Sequence, residues 1–335
     1  YVGEISMLAP DGLRTASACT KEYTRLLVMT RSDFEGLLAR RPTLATEFTR
    51  VLISRLNESH TNAIRDLQEK NVRLSRAYED LKNAQDQLIK QERMERELQV
   101  AYEIQMSILP EAMPDFAGFD FGALIVPARE VGGDFFDLLP LQDGKMGIVI
   151  GDITDKGVPA AIFMAQTHAL LRASASHTKS PGQTLLEINQ LLLGMNTRNM
   201  FATILYGILD GQTRQFSYAR AGHELPIVLK PSGEIEIGEH GVGMPVGIFE
   251  EPKIDEQTLI LPPGSILLLY TDGATDALVT DERRFGMEGL LEAFRKAANL
   301  PAQEVCKTIF NSLVVEGRPE LRIDDVTLVV ICSLD

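Results

Sequence analysis

The sequence predicts an α+β protein whose strands pair antiparallel, and two observations lead to that prediction. Short apolar runs typical of strands are separated by tight turns, such as Pro231-Ser232-Gly233 and Pro262-Pro263-Gly264. Strands joined by short turns pair antiparallel, because a parallel neighbour needs a long crossover connection. Segments with helical periodicity flank these runs, and a long charged segment, 61–105, precedes them. A parallel nucleotide-binding sheet is therefore disfavoured.

The N-terminal segment, residues 1–60, has the pattern of short strands followed by helices. Leu26-Leu27-Val28-Met29 predicts a strand, Ser32-Asp33 predicts the start of a helix, and Pro42 opens a longer helix. The chain begins inside a strand-like pattern and without an initiator Met. We therefore expect it to be a piece of a longer protein.

Residues 61–105 have the heptad pattern of a coiled coil. The leucines that recur every seven residues are Leu67, Leu74, Leu81 and Leu88. The positions three places before them are mostly polar, so the coil should be weak, and Asn71 among them favours a parallel, in-register dimer. The alternative is a single solvated helix on a domain surface. The pattern breaks around 91–93 and resumes out of phase, which indicates a place for a change of register.

From about residue 106 onward, helices and strands are interleaved. Helices are predicted at 159–175, 181–196, 286–298 and 302–314, the first opened by Pro159. Strands are predicted at 147–151, 202–210, 213–220, 225–230, 234–238, 259–261, 265–270 and 326–332.

Composition excludes several classes of protein. The formal net charge is −14, from 33 basic and 47 acidic residues, so no basic field is available for nucleic-acid binding. No stretch approaches the roughly 20 apolar residues that a membrane span needs. Cys19, Cys306 and Cys332 lie far apart without a Cys-x-x-Cys pair, which fits a reducing cytoplasm.

Acidic residues stand beside several of the predicted strands. Asp152 follows the run 147–151, Asp272 follows 266–271, and Asp324-Asp325 precede 326–331. A fourth group is Asp134 with Asp137, in Glu-Val-Gly-Gly-Asp-Phe-Phe-Asp. Carboxylates from distant parts of a chain that meet at strand ends form sites for hard cations such as Mg²⁺, Mn²⁺ or Ca²⁺.

A single aspartate at a strand end is more often structural than functional, since aspartate favours turns for conformational reasons alone. The joint pattern carries the argument here. Clustered carboxylates without a cation repel one another and raise their own pKa values. Two divalent ions offset that repulsion and supply Lewis-acid and nucleophile chemistry for phosphoester hydrolysis. The sequence therefore predicts a metal-dependent hydrolase.

Five motifs resemble, in order, those of the PPM family of Ser/Thr protein phosphatases, and more narrowly its bacterial SpoIIE/RsbU-type branch. They are Pro127-Ala128-Arg129-Glu130-Val131-Gly132-Gly133-Asp134-Phe135-Phe136-Asp137, Gly151-Asp152-Ile153-Thr154-Asp155-Lys156-Gly157-Val158-Pro159-Ala160-Ala161, Ala221-Gly222-His223, Tyr270-Thr271-Asp272-Gly273 and Asp324-Asp325-Val326-Thr327. The resemblance implies an antiparallel β-sandwich flanked by helices, with two Mn²⁺ or Mg²⁺ ions at one end.

The resemblance also implies roles for individual residues. Asp152 is expected to bridge both ions, with the carbonyl of Ile153 as a further ligand. Asp272 and Asp324 are expected to bind one ion and Asp134 the other or its surroundings. Asp325 could exchange roles with Asp324, and the sequence does not separate them. Arg129 is a candidate for steering the phosphate, or is a surface charge beside Glu130.

A second resemblance covers about 60 residues at the N-terminus. Gly3-Glu4-Ile5-Ser6-Met7-Leu8 with Arg14-Thr15-Ala16-Ser17 is similar to the phosphate-binding cassette of cyclic-nucleotide-binding domains. It implies that Glu4 holds a ribose hydroxyl and that Arg14, with Thr15, holds the cyclic phosphate. The first half of the expected β-roll is missing from the chain, so a bound cyclic nucleotide is an open question at this point.

These resemblances imply a three-part chain. Residues 1–60 are the C-terminal part of a cyclic-nucleotide-binding-like domain, 61–105 a coiled-coil linker and switch helix, and 106–335 a PPM/SpoIIE-type phosphatase domain. The expected protein is a cytoplasmic, homodimeric phosphoprotein phosphatase whose substrate is an anti-anti-sigma (STAS-type) protein. Two alternatives stay open: a two-metal hydrolase of a small phosphoester, and a weakly active dimeric signalling scaffold.

Overall fold

The computed structural model describes residues 2–14, 17–176, 180–195, 199–239, 241–280, 283–314 and 324–335. Contacts divide the chain into two compact units, 1–90 and 91–335. The division falls within one long helix, α3 (Pro42–Ile108). None of the described helices is both long and apolar enough to cross a lipid bilayer.

The first unit contains α1 (Glu4–Leu8), α2 (Arg31–Arg40) and the first part of α3. The strand predicted at 26–29 is wrong, because the described residues of this unit include no strand and Leu27 is 93% exposed. A strand needs a neighbour to satisfy its backbone groups and to cover its side chains. No such neighbour is present among the described residues of this unit, which therefore show no part of the expected β-roll.

Helix α3 joins the segments predicted as a helix from Pro42 and a coil over 61–105 into one element. Proline suits its first position, since that N–H group has no helical partner in any case. The helix has no glycine and no further proline to interrupt it. The four leucines of the predicted seam are 61–69% exposed, so they line an apolar stripe on an otherwise charged helix.

The second unit is built from two five-stranded antiparallel sheets. One has the order β1-β12-β9-β6-β7 and the other the order β2-β3-β4-β5-β8. The strands of the first sheet are β1 (Phe119–Val126), β6 (Ile227–Leu229), β7 (Ile235–Ile237), β9 (Ile266–Tyr270) and β12 (Val326–Ser333). Those of the second are β2 (Phe135–Pro140), β3 (Lys145–Ile153), β4 (Ala202–Asp210), β5 (Gln215–Ala221) and β8 (Asp255–Ile260). A short hairpin, β10 (Leu278–Thr280) with β11 (Arg283–Arg284), stands apart.

The sheets stack face to face, with helices on both outer faces. Along β12, Val329 and Ile331 join the core that contains the second sheet, whereas Leu328 and Val330 join the core under the helices. This alternation follows from the period of two along a strand, and burial on both faces explains the unbroken apolar run. The predicted α+β class and the antiparallel β-sandwich flanked by helices are confirmed.

Four helices of this unit lie within a few residues of their predicted ranges, and the short helix at Gly273–Asp276 was not predicted. The helices of this unit are α4 (Val158–Ala175), α5 (Pro181–Met195), the short α6 (Gly273–Asp276), α7 (Gly286–Lys296) and α8 (Ala302–Leu313). Helices α4 and α5 contact the β2–β8 sheet, and α8 contacts β1 and β12. Strands β1 and β2 were not predicted.

Candidate metal centre

One sheet supplies the first pair of carboxylates. Asp134 stands directly before β2, and Asp152 is the next-to-last residue of β3. The two strands are paired so that Phe135 lies opposite Gly151. The start of β2 and the end of β3 therefore share one edge of the sheet, where Asp134 and Asp152 are neighbours.

The other sheet supplies the second group. Asp272 is the second residue after β9, and Asp324 and Asp325 directly precede β12. Tyr270 is paired with Leu328 across these antiparallel strands. The end of β9 and the start of β12 consequently lie side by side, although about 50 residues separate them in the sequence.

Two threonines tie these groups together across the sandwich. Asp134 Oδ2 accepts hydrogen bonds from Thr271 Oγ1 at 2.8 Å and from Thr327 Oγ1 at 2.6 Å. Thr271 Oγ1 in turn accepts a hydrogen bond from the Thr327 amide at 3.0 Å. Asp134 belongs to one sheet and both threonines to the other, so this network sets the distance between the two sheet edges.

Asp324 and Asp325 have different environments despite being adjacent. Asp325 is 8% exposed, and its two carboxylate oxygens accept hydrogen bonds from the amides of Ala128 and Gly133, both at 2.7 Å. The Asp324 side chain is 35% exposed and lies 2.8 Å from the ammonium of Lys156. Asp325 thus anchors the loop before β2, while Asp324 faces the opening of the site.

Burial and mutual repulsion perturb the carboxylates. Burial, followed by repulsion from Asp272 and Asp324, raises the pKa of Asp152 to about 7. Burial and then Asp152 raise the pKa of Asp134 well above its ordinary value. Asp272 is exposed at the mouth of the site, yet partial desolvation and then Asp324 raise its pKa as well. Each carboxylate therefore destabilises the ionised form of its neighbours.

The residues fit a divalent cation by donor chemistry and by space. Oxygen donors suit Mg²⁺ and Mn²⁺, and a cation would relieve the repulsion among these side chains. A Cβ atom at Gly133 would lie 2.8 Å from the carbonyl oxygen of Ile153 and 3.4 Å from Asp152 Oδ1, so glycine keeps the backbone open beside both donors. No three acidic, His or Cys side chains among the described residues converge as a finished ion cage, and Lys156 instead contacts Asp324.

Two of the predicted residues lie away from this cluster. Arg129 is exposed on the loop before β2. Asp137 is buried in β2, where Arg172 Nε donates to it at 2.6 Å and His168 Nε2 lies 2.9 Å away. Burial alone would raise the pKa of Asp137, but His168 and Arg172 hold it below its ordinary value. Asp137 therefore fastens β2 to α4 and is not part of the acidic cluster.

Sequence reasoning missed several residues of the site. They are Lys156, Thr271 and Thr327, and also Gln105, whose side chain binds the backbone of Gly132. Lys156, Thr271 and Thr327 lie within the motifs that were recognised, beside the aspartates, so proximity in sequence was the available signal. Gln105 lies at the end of the predicted switch helix, 61–105, but no pattern in the sequence indicated the contact that its side chain makes.

The residues proposed to bind a cyclic nucleotide are not gathered into one site. Glu4 is buried on α1 and forms an ion pair with Arg55 of α3. Arg14 is exposed, and Thr15 lies outside the described residues.

Comparison with known proteins reveals similarity that covers most of the acidic cluster. A sequence model of the family described as Stage II sporulation protein E (SpoIIE) matches residues 142–333, more than half of the chain. The match includes Asp152, Asp272, Asp324 and Asp325. It begins after Asp134 and after the N-terminal unit, so it gives the nucleotide-site prediction no support.

Individual relatives cover a similar range. Protein IcfG of Synechocystis sp. is 32% identical over 264 residues, which are 70% of this chain and 41% of that protein. Phosphoserine phosphatase RsbU of Bacillus subtilis is 26% identical over 243 residues, 72% of this chain and 71% of that protein. The chain thus spans about two fifths of the length of the first relative.

Among solved structures, the SiaA-PP2C domain of Pseudomonas aeruginosa superimposes with a TM-score of 0.62. The match covers 72% of this chain and 97% of that domain, at 24% identity. At this level of identity the likeness is one of fold, and it places the β-sandwich of the second unit among PP2C-like folds.

Proposed function

The chain belongs to the SpoIIE family, and from that premise we propose that it is a metal-dependent phosphatase acting on phosphoserine or phosphothreonine in a protein. One observation carries the proposal: carboxylates from two sheets meet at one edge of the sandwich, where they raise one another's pKa values. A protein gains nothing in stability from such a cluster unless cations neutralise it.

In this proposal the chain's own residues hold and orient two ions and the phosphoryl group. Asp152 interacts with Asp272 and Asp324 from the other sheet and with Asp134 from its own, and it would bridge the ions. Asp272 and Asp324 would hold one ion, and Asp134 with the Ile153 carbonyl would hold or orient the other. A pair of Mn²⁺ or Mg²⁺ ions supplies Lewis acidity at the phosphoryl group and lowers the pKa of attacking water. Hydrolysis would then need one step and no phosphoenzyme.

The role of Asp325 follows from its hydrogen bonds. Both of its oxygens already accept backbone N–H groups, from Ala128 and Gly133. We propose that Asp325 supports the loop that carries Asp134 and that Asp324 is the metal ligand of the pair. Arg129, which is exposed on the same loop, remains a candidate for contacting a phosphoprotein.

The substrate proposal draws on the relatives. The Bacillus subtilis relative is named a phosphoserine phosphatase. We propose that this chain hydrolyses the same kind of phosphoester bond. Within that class, the proposed substrate is a phosphorylated STAS-type anti-anti-sigma protein in a cytoplasmic partner-switching pathway.

The long helix carries a proposal of its own. The seam leucines lie on α3, exposed and spaced by seven residues. We propose that the second copy of this chain covers them in a parallel coiled coil. In this view residues 61–105 link a sensory segment, 1–60, to the phosphatase domain, 106–335.

Phosphate release tests the proposed function. With Mn²⁺, the chain should release phosphate from a phosphoserine-bearing STAS protein, EDTA should stop the release, and added Mn²⁺ should restore it. Asp210→Asn, at the far end of the same sheet from Asp152, serves as a control that should retain turnover. Hydrolysis of p-nitrophenyl phosphate without any release from phosphoproteins would favour the small-phosphoester alternative. No metal-dependent release from either would favour the scaffold.

A further inference from the structure

Lys156 forms an ion pair with one of the carboxylates of the candidate metal centre, Asp324. Lys156 Nζ lies 2.8 Å from Asp324 Oδ2, and the two side chains are 36% and 35% exposed. Lys156 also lies close enough to Asp272 to favour the ionised form of that carboxyl. The ammonium group therefore contacts Asp324 and acts electrostatically on Asp272, the two side chains that are proposed to hold one metal ion.

The turn that carries Lys156 is held in a defined conformation. Thr154, on one side, exchanges three hydrogen bonds with the backbone of Phe201, each 3.0 Å long. Asp155 has a φ of 77° and Gly157 a φ of 80°, a backbone region that non-glycine residues seldom adopt. The Asp155 side chain accepts a hydrogen bond from the Lys156 amide at 2.9 Å. The backbone of Lys156 is thus fixed, whereas its long side chain can turn.

A divalent ion and this ammonium group compete for Asp324, because Lys156 already lies 2.8 Å from its Oδ2. Both are cations, and at a few ångströms their repulsion is substantial in a partly desolvated site. An ion bound to Asp324 and Asp272 would therefore favour the release of Lys156. The released ammonium group stays within reach of the same carboxylates, because its backbone does not move.

Resting on the proposed phosphatase function, we propose that Lys156 exchanges partners: it holds Asp324 in the metal-free chain and turns to the phosphoryl group of the substrate when a divalent ion takes that carboxylate. A compact ammonium group on a flexible stem suits an anion whose position is set by other groups. The phosphoryl group must lie against the ions, and so next to the carboxylates that Lys156 now contacts. The phosphoryl oxygens would then supply the negative partner that Lys156 loses when Asp324 binds the ion.

Amine labelling of the whole chain tests in one experiment both the release of Lys156 from Asp324 and its contact with phosphate. A limiting amount of an acylating reagent is added without metal, with Mg²⁺, and with Mg²⁺ plus inorganic phosphate, and acylation is measured by mass spectrometry. Lys156 should react several-fold faster with Mg²⁺ than without it, and phosphate should reverse most of that gain. Lys145, at the other end of β3 and 3.9 Å from Asp210, is the internal control and should not change. Equal reactivity of Lys156 with and without Mg²⁺ would overturn the exchange, and a gain that phosphate leaves untouched would overturn its second step.

Metal affinity tests the competition between Lys156 and the ion without any measurement of turnover. Lys156→Gln removes the competitor, so Mn²⁺ should bind about two- to fivefold more tightly, as expected for a half-exposed ion pair. Lys156→Arg keeps the charge, and Lys145→Gln breaks the distant pair; both should bind Mn²⁺ as the unmodified chain does. In turnover, Lys156→Gln should raise KM for the phosphoprotein more than it lowers kcat, and Lys156→Arg should restore most of the loss.

These outcomes separate this inference from the proposed function. An unmodified chain that binds no Mn²⁺ and releases no phosphate would overturn both. If the unmodified chain binds Mn²⁺ and releases phosphate, and the Lys156→Gln variant has the same Mn²⁺ affinity and KM, only the proposed role of Lys156 would be overturned.

Discussion

The side chain of Gln105 makes a two-way hydrogen-bonded contact with the backbone of Gly132. Gln105 Nε2 donates to the Gly132 carbonyl at 2.7 Å, and the Gly132 amide donates to Gln105 Oε1 at 3.2 Å. Gln105 lies near the end of α3 and is 6% exposed, and Gly132 is two residues before Asp134. The end of the long helix is thus joined directly to the loop that carries a proposed metal ligand.

Replacing Gln105 by leucine should weaken metal binding. Two buried backbone groups would lose their partners, which costs about 1–3 kcal/mol of unfolding free energy for an unsatisfied group. The loop would also hold Asp134 less firmly, and we expect Mn²⁺ affinity to fall by about tenfold, the usual effect of losing a residue that supports a ligand. Calorimetric titration with Mn²⁺ and thermal unfolding measure the two effects.

The fold provides a matched control for this variant. Gln303 of α8 makes the same two-way contact with the backbone of Ala123, at 3.0 and 3.1 Å, on β1. Gln303→Leu should lower stability and leave Mn²⁺ affinity unchanged. Equal losses of affinity in both variants would mean that Gln105 acts through general stability and not through the Gly132 loop.

Asp324 and Asp325 should differ sharply when each is replaced. Asp325→Ala leaves two backbone N–H groups without an acceptor and should lower the free energy of unfolding by about 1–3 kcal/mol. Asp324→Asn loses only a half-exposed ion pair, worth about 1 kcal/mol at most, but should lose most of its Mn²⁺ affinity. Urea unfolding without metal and Mn²⁺ titration separate the two residues. The reverse pattern would make Asp325 the ligand.

The sequence predicts best those structural features that depend on residues close together along the chain. Local patterns sufficed for strands such as β4, predicted at 202–210, because alternation and turns are encoded nearby. The strand at 26–29 was wrong because an apolar run forms a strand only beside a partner strand, and the described residues of the first unit include none. The roles of Asp324 and Asp325 could not be separated, since neighbouring side chains point in opposite directions and the pairing of β12 decides which one is buried. The contact between Gln105 and Gly132 could not be predicted, because the helix and the loop, 27 residues apart in sequence, meet only in the folded chain.

Asp152→Asn should have opposite effects on metal-free stability and on metal response. The pKa of Asp152 is raised by burial and then by repulsion from Asp272 and Asp324. Replacing the carboxylate removes both costs, so the metal-free chain should melt at an equal or higher temperature. The rise in melting temperature on adding Mn²⁺ should disappear, and with it metal-dependent turnover. Differential scanning calorimetry with and without Mn²⁺ tests this. Full Mn²⁺-dependent turnover in the variant would contradict the proposed mechanism.

The stability of the metal-free chain should fall as pH rises from 5 to 8. Asp152 has an ordinary pKa of 3.8 and a folded pKa of about 7, so the folded chain holds this proton more tightly than the unfolded chain does. The stability that this preference contributes is present at low pH and is lost as pH rises through the folded value. Asp134, raised in the same direction, adds to the slope. Saturating Mg²⁺ should reduce the slope of stability against pH, and so should Asp152→Asn. An identical slope for the metal-free chain, the Mg²⁺-bound chain and the variant would mean that other groups cause the pH dependence.

Glutamates placed in the leucine seam of α3 should convert a dimer into a monomer. Leu74 and Leu81 are 69% and 67% exposed in the single chain, so their replacement costs the monomer no buried contacts, whereas in a coiled coil it would place charges in the apolar seam. Arg76→Glu with Asn83→Glu is the matched control, because both positions lie two residues past a seam leucine, on the outer face of the helix. Light scattering should give the dimer mass for the unmodified chain and for the control, and the monomer mass for Leu74→Glu with Leu81→Glu. A monomer mass for the unmodified chain would instead favour a single solvated helix, because the leucines would then remain uncovered in solution.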